Sequence, residues 1–366
     1  MTIAISELCK VIERFAPLQL QESYDNAGLI IGNPQAIVTG ILISLDCTEE
    51  VLEEAMQKKC NVVVCHHPIV FSGLKKITGK NYVERTVIKA IKNDIAIYAA
   101  HTNLDNVLKG VNNKIADKIG LVNRKILNPL PGGLLKLVTF CPAKQAGKVR
   151  AALFEAGAGM IGNYSECSFN IRGMGTFKAG MGADPYVGKI GEPHTEEEER
   201  IEVIFPAGVQ SELVKQLLSA HPYEEVAYDI YALNNPNPYM GAGLVGELES
   251  PEAENEFLKR LKTVFKAGCI RYTHLLNKSV KKVAVCGGSG SFLLQNAIKT
   301  GADIFITGDF KYHQFFDADK RILIADIGHY ESEQFTGELF YELLTKSFTT
   351  FAVRLSETCT NPINYL

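Results

Sequence analysis

Short apolar runs alternate with amphipathic segments through the first third of the chain. Residues 40–45, 62–65 and 95–99 are continuous apolar runs, which predict strands that are buried on both faces. Segments 48–59 and 83–92 separate these runs and have the three-to-four-residue apolar spacing of helices. Strands of this kind that alternate with helices predict a mostly parallel sheet covered on both faces, which is an α/β fold.

The pattern changes after residue 127. Two turn-rich segments, 128–133 and 234–238, enclose runs that predict strands and helices in the ferredoxin-like order β-α-β-β-α-β. We therefore predict an α/β segment at 1–127, an inserted ferredoxin-like α+β domain at 128–235 and a second α/β segment at 236–366. The outer segments share one predicted order of elements, so we expect two similar α/β halves whose strand ends face a common crevice.

Composition narrows the class of protein. The 366 residues carry a formal net charge of −3, which gives no overall basic surface for nucleic acid. Nine cysteines occur without any C-x-x-C spacing, so we expect reduced thiols in a cytoplasmic protein and no zinc finger. The apolar runs are all shorter than the roughly 20 residues that cross a bilayer, so we also expect a soluble protein.

Imidazole and carboxylate side chains follow the predicted strands at several points. They are His66, His67, His101, Asp105, Asp309, His313, His329 and Glu333. A single histidine in such a place is usually an ordinary turn residue. Ligands of open α/β sheets, however, bind beyond the carboxyl ends of the strands, and the shared placement therefore favours a divalent metal site.

Local geometry favours two ions. Neighbouring side chains on a strand point to opposite sides, so His66 and His67 would reach two adjacent ions more easily than one. His329 and Glu333 share a face at four-residue spacing if their helix begins early enough. Zinc, iron, manganese or nickel would each suit these ligands, and a pair of such ions lowers the pKa of bound water.

Further residues are candidates for a supporting role. His101 and His313 rank below the others as ligands, and each could instead be an outer hydrogen-bond donor or a proton shuttle. Asp46, which follows the first strand, is either an outer partner or a helix-start acid. Asp309 is a further candidate for an outer partner.

Two other segments leave alternatives open. Gly287, Gly288, Ser289 and Gly290 follow a predicted strand and open a helix, where backbone amides can bind an anion. The segment lacks the Lys-Ser/Thr of a P-loop, so a tight turn is an equal alternative. His221-Pro-Tyr-Glu-Glu225 ends a predicted helix and is either a structural turn or a minor ligand site.

With these residues placed, the chain resembles the Nif-three-like dinuclear-metal family, also named GTP cyclohydrolase I type 2 homologues. The likeness rests on six motifs and runs nearly end to end. These are Tyr24-Asp-Asn-Ala-Gly-Leu29, His66-His-Pro68, His101-Thr-Asn-Leu-Asp105, Gly287-Gly-Ser-Gly290, Thr307-Gly-Asp-Phe-Lys-Tyr-His313 and Gly328-His-Tyr-x-x-Glu333. The inserted segment, with its His221-Pro-Tyr-Glu-Glu225, resembles the PII-like domain of the longer family members.

The resemblance implies specific ligands and an assembly. It implies a dinuclear centre, two divalent ions per chain, held by His66, His67, Asp105, His329 and Glu333. It also implies a toroidal homohexamer with these centres facing an internal cavity. Tyr24 stands where the family often has tryptophan, and Tyr312 where it often has a second histidine, which weakens an outer role for the Tyr312–His313 pair.

Two functions from different classes remain as hypotheses. The first is a metal-dependent hydrolase acting on a nucleotide or another phosphorylated small molecule, for example by opening the purine ring of GTP. The second is a ring-shaped regulatory or scaffold protein that binds metal structurally and recruits protein or nucleic-acid partners. An exchangeable water on the metal separates them, because structural sites are coordinatively closed. Adventitious metal binding by an α/β protein is the plain alternative to both.

Overall fold

The computed structural model describes residues 2–349 and 351–366. The chain forms two compact units, Met1–Pro129 with Tyr239–Leu366, and Leu130–Pro238. The sequence predicted an insertion at 128–235. The protein is a mixed α/β protein with several sheets, and that prediction is confirmed.

The first unit contains a five-stranded sheet in the order β1-β4-β3-β2-β15. Its strands are β1 (Gly28–Ile31), β2 (Gly40–Ser44), β3 (Val62–Cys65), β4 (Ala96–Ala99) and β15 (Ala352–Leu355). All neighbours are parallel except β1, which runs antiparallel to β4. The register brings the carboxyl ends of β2, β3 and β4 to one edge, so the residues that follow these strands lie together.

The same unit contains a six-stranded sheet in the order β11-β14-β13-β12-β10-β5. Its strands are β5 (Val122–Pro131), β10 (Pro236–Ala253), β11 (Arg271–Tyr272), β12 (Ser279–Ser289), β13 (Ile304–Gly308) and β14 (Leu323–Asp326). Strands β12, β13 and β14 are parallel, which again places their carboxyl ends at one edge.

Each sheet of the first unit takes one strand from the other outer segment. β15 joins the first sheet beside β2, and β5 joins the second sheet beside β10. The two halves are therefore interlocked along the chain. The segments predicted as turn-rich linkers are also partly strand, since β5 extends to Pro131 and β10 begins at Pro236.

Helices cover both sheets of this unit. They are α1 (Ile5–Phe15), α2 (Glu49–Gln57), α3 (Tyr82–Lys92), α4 (Thr102–Asp105), α5 (Val111–Ile119), α8 (Glu254–Val264), α9 (Leu294–Lys299), α10 (His329–Glu333) and α11 (Thr336–Ser347). Alternate residues of the strands face different helices: Ile41 and Ile43 join the large shared core, whereas Leu42 packs in a second cluster. Helix α10 begins at His329, so His329 and Glu333 lie on one helix, as the sequence analysis required.

The second unit has a four-stranded antiparallel sheet in the order β7-β8-β6-β9. Its elements are β6 (Leu134–Pro142), α6 (Ala146–Glu155), β7 (Phe169–Lys178), β8 (Pro193–Pro206), α7 (Gln210–Ala220) and β9 (Tyr228–Leu233). Its core joins Leu137 and Ile201 of the sheet to Val149 and Leu213 of the helices. The PII-like nature of this unit stays a prediction.

Every helix among the described residues is too short or too polar to span a bilayer.

Candidate metal centre

His66 and His67 stand at the centre of the candidate site, directly after strand β3. Their backbone amides both donate to the Leu45 carbonyl oxygen at 3.0 Å, which ends the strand and turns the chain. The two imidazole rings therefore lie on the same side, with centroids 4.9 Å apart. His66 is fully buried and His67 is partly buried.

Each histidine of the cluster is held through its Nδ1 atom. His66 Nδ1 lies 2.8 Å from the Ala100 carbonyl oxygen. The other three rings contact carboxylates: His67 with Asp46 at 2.8 Å, His101 with Asp25 at 2.8 Å, and His329 with Asp309 at 2.7 Å. An acceptor at Nδ1 fixes the proton there, so Nε2 is left as the free ligand atom, as in metal-binding histidines.

The Nε2 atoms converge with two carboxylates. His67 Nε2 lies 3.2 Å from His329 Nε2, and both lie close to Glu333 Oε2, at 3.0 and 3.1 Å. His66 Nε2 lies 3.7 Å from Asp105 Oδ1 and 3.7 Å from Glu333 Oε1.

Two overlapping groups have the spacing of metal ligands. The first is His66, His67 and His101, and the second is His67, His329 and Glu333; within each group the ligand atoms lie within 4.8 Å of one another. Glu333 comes close to His329 because both lie on the short helix α10 at four-residue spacing.

The chemistry of these groups fits a cation. His66 Nε2, Asp105 Oδ1 and Glu333 Oε2 are buried atoms without a hydrogen-bond partner among the described residues. Such atoms are costly unless something compensates them. A proton on one nitrogen can be donated to only one of the converging acceptor atoms, whereas a divalent ion can bind several of these atoms at once.

Electrostatics supports the same conclusion. Burial, followed by the charge of Glu333, raises the pKa of Asp105 well above the usual range of a carboxyl group. Burial opposes the charged form of His67, but Asp46 and Glu333 outweigh it and raise the pKa of His67 to about 9. Likewise, Asp309 and Glu333 overcome burial and raise the pKa of His329 to about 11. Negative charge is thus concentrated here, and bound cations would relieve it.

The glycine segment at the end of β12 pairs its amides with other side chains and does not present them as free donors. The Gly287 amide donates to Asn112 Oδ1 at 2.9 Å, and the Gly288 amide to Ser332 Oγ at 2.9 Å. The Gly290 amide donates to a threonine hydroxyl. Ser289 pairs in register with Gly308 of β13. Three of the four residues in this segment therefore have no free amide to donate to an anion, so the tight-turn alternative is favoured.

Gly288 is required by the close approach of Glu333. Its φ of +60° lies in the left-handed region, and a Cβ there would lie 2.3 Å from Glu333 Oε1 and 3.3 Å from a carbon of the His329 ring.

The remaining predicted residues fall into two groups. Asp46 and Asp309 contact ligand histidines, as described. His313 is exposed on the 3-10 helix Tyr312–Ala318, where its ring contacts Tyr312 and Phe316. His313 is therefore not brought to the cluster, because this helix carries it into solvent.

Asp25 is a supporting residue that spacing arguments missed. It accepts hydrogen bonds from His101 Nδ1 and from the amide and hydroxyl of Thr102. Burial opposes its charge, yet these bonds lower the pKa of Asp25 to about 2. The available signal was its place in the Tyr24–Leu29 motif.

His221 in the second unit has a structural role. Its Nδ1 accepts the Tyr223 amide at 3.1 Å, and its Nε2 donates to the Phe140 carbonyl oxygen at 2.9 Å. Both ring nitrogens are occupied, so the turn alternative is favoured over a ligand role.

Comparison with known proteins identifies the family. The family model described as Duf34/NIF3 (NGG1p interacting factor 3) matches residues 3–362. The chain belongs to the Duf34/NIF3 family. This Duf34/NIF3 member is 41% identical to a Halalkalibacterium halodurans protein named GTP cyclohydrolase 1 type 2 homolog, over 87% of each chain. It is 36% identical to a Bacillus subtilis protein of the same name, over 98% of each chain.

A solved structure of the Duf34/NIF3 family is also similar. The Bacillus cereus protein related to NIF3 superposes with a TM-score of 0.88 at 38% identity, covering 100% of this chain and 99% of the other. The family resemblance predicted from the motifs is thus confirmed.

Proposed function

We propose that this protein is a dinuclear metal-dependent hydrolase that acts on a nucleotide or another phosphorylated small molecule. The observation that carries the proposal is the convergence of imidazole Nε2 atoms and two carboxylates, with buried acceptors left unpaired. The names of the relatives, GTP cyclohydrolase 1 type 2 homolog, support the same substrate class.

Five residues would hold two divalent ions. They are His66, His67, Asp105, His329 and Glu333. Zinc, iron, manganese and nickel all suit this donor set. When bound, two adjacent ions lower the pKa of a bound water and polarise a phosphoryl or carbonyl oxygen.

His101 would move a proton in the proposed reaction. Asp25 fixes the proton of His101 on Nδ1, so Nε2 can accept one from the substrate side. The ring is packed edge-on against His66 and His67, at 5.2 and 5.4 Å between centroids. We assign His101 this proton-transfer role ahead of a ligand role.

Two exposed aromatic side chains beside His101 favour a substrate with a planar base. Phe71 lies 6.1 Å from the His101 ring and 6.1 Å from Tyr24, measured between centroids. Tyr24 and Phe71 are 62% and 47% exposed, although large aromatic side chains are usually buried. Nucleobases stack on such rings with about 1–3 kcal/mol each.

The test combines metal content with turnover. Elemental analysis of the purified protein is expected to give two ions per chain, and fewer in His66→Ala and Asp105→Ala. His313→Ala is the matched control, because this exposed histidine lies away from the cluster and its loss should leave both ions bound. Metal-loaded protein is then assayed against nucleoside triphosphates, monophosphates and simple phosphoesters.

Turnover that disappears in His66→Ala but persists in His313→Ala supports the hydrolase. If metal-loaded protein and His66→Ala leave every substrate equally unchanged, the hydrolase proposal fails. A closed metal centre without an exchangeable water, together with a salt-dependent shift on nucleic acid, would instead support the scaffold function.

The assembly and location form part of the same proposal. We propose a cytoplasmic homohexamer, for which sedimentation should give six times the chain mass of 40.2 kDa. A monomer or dimer at micromolar concentration would contradict the ring. The inserted unit is proposed to be PII-like.

A further inference from the structure

The sheet of the second unit borders a cavity of about 760 Å³. Residues Ile201 and Val203 of β8 pack on the helices, so their neighbours Glu198 and Arg200 point to the opposite face, where the cavity lies. The volume falls within the range of pockets that bind small organic molecules.

Gly173 and Gly175 lie in the middle of strand β7 and place no side chain on this face of the sheet. Gly173 lies opposite Glu198 in the β7–β8 register, and cross-strand partners share a face of the sheet. A Cβ on Gly173 would meet no heavy atom within 4 Å, so the space above it is open. A Cβ on Gly175 would lie 2.0 Å from Glu198 Oε2, so this glycine lets the carboxylate lie across the strand. Glycine within a strand commonly marks such a close approach.

Tyr223 forms the aromatic wall of the cavity in a fixed orientation. Its amide donates to His221, which is itself bonded to a backbone carbonyl of β6 at 2.9 Å. Its hydroxyl donates to Glu198 Oε1 at 2.7 Å. The rings of Phe177 and Tyr186 lie 6.3 and 6.2 Å from the Tyr223 ring. The wall is therefore preorganised for a planar ligand.

A donor and an acceptor lie side by side in the cavity. Arg200 uses Nη2 in an ion pair with Glu202 at 2.8 Å, but its Nε is buried and has no hydrogen-bond partner in the part of the chain that the structure describes. An unpaired buried donor is unfavourable unless a bound molecule supplies an acceptor. Glu198, two residues away on the same strand face, offers carboxylate oxygens to a donor.

We propose that this cavity binds a purine nucleoside of the guanine type. The O6 and N7 acceptors of guanine match the Arg200 guanidinium, and its N1–H and N2–H groups match the Glu198 carboxylate. The ring would stack on Tyr223. Adenine presents a donor where guanine has O6, so it matches Arg200 poorly. The site lies wholly within Leu130–Pro238 and does not depend on the function proposed for the metal centre.

The test measures binding of guanosine, which has no phosphate, to the full-length protein by isothermal titration calorimetry. Guanosine is expected to bind at least about tenfold more tightly than adenosine, because a good Arg–guanine pair discriminates bases by at least that factor. Gly173→Val should abolish binding by filling the open space, and valine favours a strand. Gly147→Ala in helix α6, where a Cβ also meets nothing within 4 Å, is the matched control and should bind normally.

Two further variants make the outcome decisive. Glu198→Gln keeps an acceptor for the Tyr223 hydroxyl but should reduce guanosine affinity about tenfold or more and weaken the preference over adenosine. His66→Ala should retain guanosine binding, which separates this cavity from the metal centre. The proposal is overturned if guanosine does not bind, or if Gly173→Val still binds it. It is also overturned if Gly173→Val changes only the sedimenting mass, because the face would then be a contact between copies of this chain.

Discussion

Replacement of Gly288 by alanine should dismantle the metal centre without removing a ligand. Gly288 has a φ of +60°, and the new Cβ would lie 2.3 Å from Glu333 Oε1. An ordinary carbon–oxygen contact is near 3.4 Å, so the carboxylate must retreat by about 1 Å. Metal–ligand distances tolerate only about 0.2 Å, so Glu333 would no longer be held in place to bind.

Gly288→Ala should have two effects, a loss of folding stability and a loss of metal affinity. Left-handed backbone costs alanine about 1–2 kcal/mol, partly offset by the lower entropy of its unfolded chain. This part should also appear in Gly301→Ala, because Gly301 has a φ of +72° and its Cβ would meet nothing within 4 Å. The second part is specific to Gly288: the loss of a held ligand should weaken metal affinity by at least the roughly 10–100-fold seen for outer partners.

The assay compares both variants with the unmodified protein. Urea unfolding in the presence of chelator gives the cost of the backbone alone, and competition with a fluorescent chelator gives the metal affinity. We expect similar destabilisation in the two variants but weakened metal binding only in Gly288→Ala. Equal metal affinity in both variants would refute the assigned role of the Gly288–Glu333 contact.

Three more predictions concern the metal centre and the Glu54 carboxylate. Asp309→Asn should weaken metal binding about 10–100-fold, measured by competition with a fluorescent chelator, because the carboxylate orients His329. With free metal at 100 times its dissociation constant, removal of the metal should lower the free energy of unfolding by about 2.7 kcal/mol for each ion, measured by urea titration. Burial alone would raise the pKa of Glu54, but hydrogen bonds from Lys58 and from residues 356–358 lower it to about 2. The charged form therefore stabilises the fold above pH 4.5, and that contribution is lost as the pH falls towards 2. The free energy of unfolding should therefore fall less between pH 6 and pH 3 in Glu54→Gln than in the unmodified protein. After allowance for solvent screening, we expect the difference to be about 1–2 kcal/mol, measured by unfolding titrations at both pH values.

The local pattern was sufficient to select the candidate ligands that the fold brings together, because they follow buried strands. The runs before His66, His101 and His329 have an unbroken apolar character that indicates parallel strands, and parallel strands bring their carboxyl ends to one edge. The four-residue spacing of His329 and Glu333 was equally local. Motif likeness then assigned the family.

Features that depend on distant pairing could not be predicted in this way. Strands β5 and β15 join sheets of the opposite segment, and no periodicity within a strand specifies its partner. Asp25 reaches His101 from a loop without regular spacing. The glycine segment looked like an anion site because its amide acceptors, Asn112 and Ser332, are far away in sequence.

The exchange of strands between the two segments has a consequence for synthesis of the protein. Strand β2 pairs with β15, which leaves the ribosome roughly 300 residues later, or about 15–60 s at ordinary translation rates. During that interval the β2 edge lacks its final neighbour, and an unpaired strand edge of this kind favours aggregation of the nascent chain. A chain that terminates before residue 329 also lacks His329 and Glu333, so it would lose the second of the two groups with metal-ligand spacing. The candidate metal centre is therefore complete only after synthesis of the last tenth of the chain.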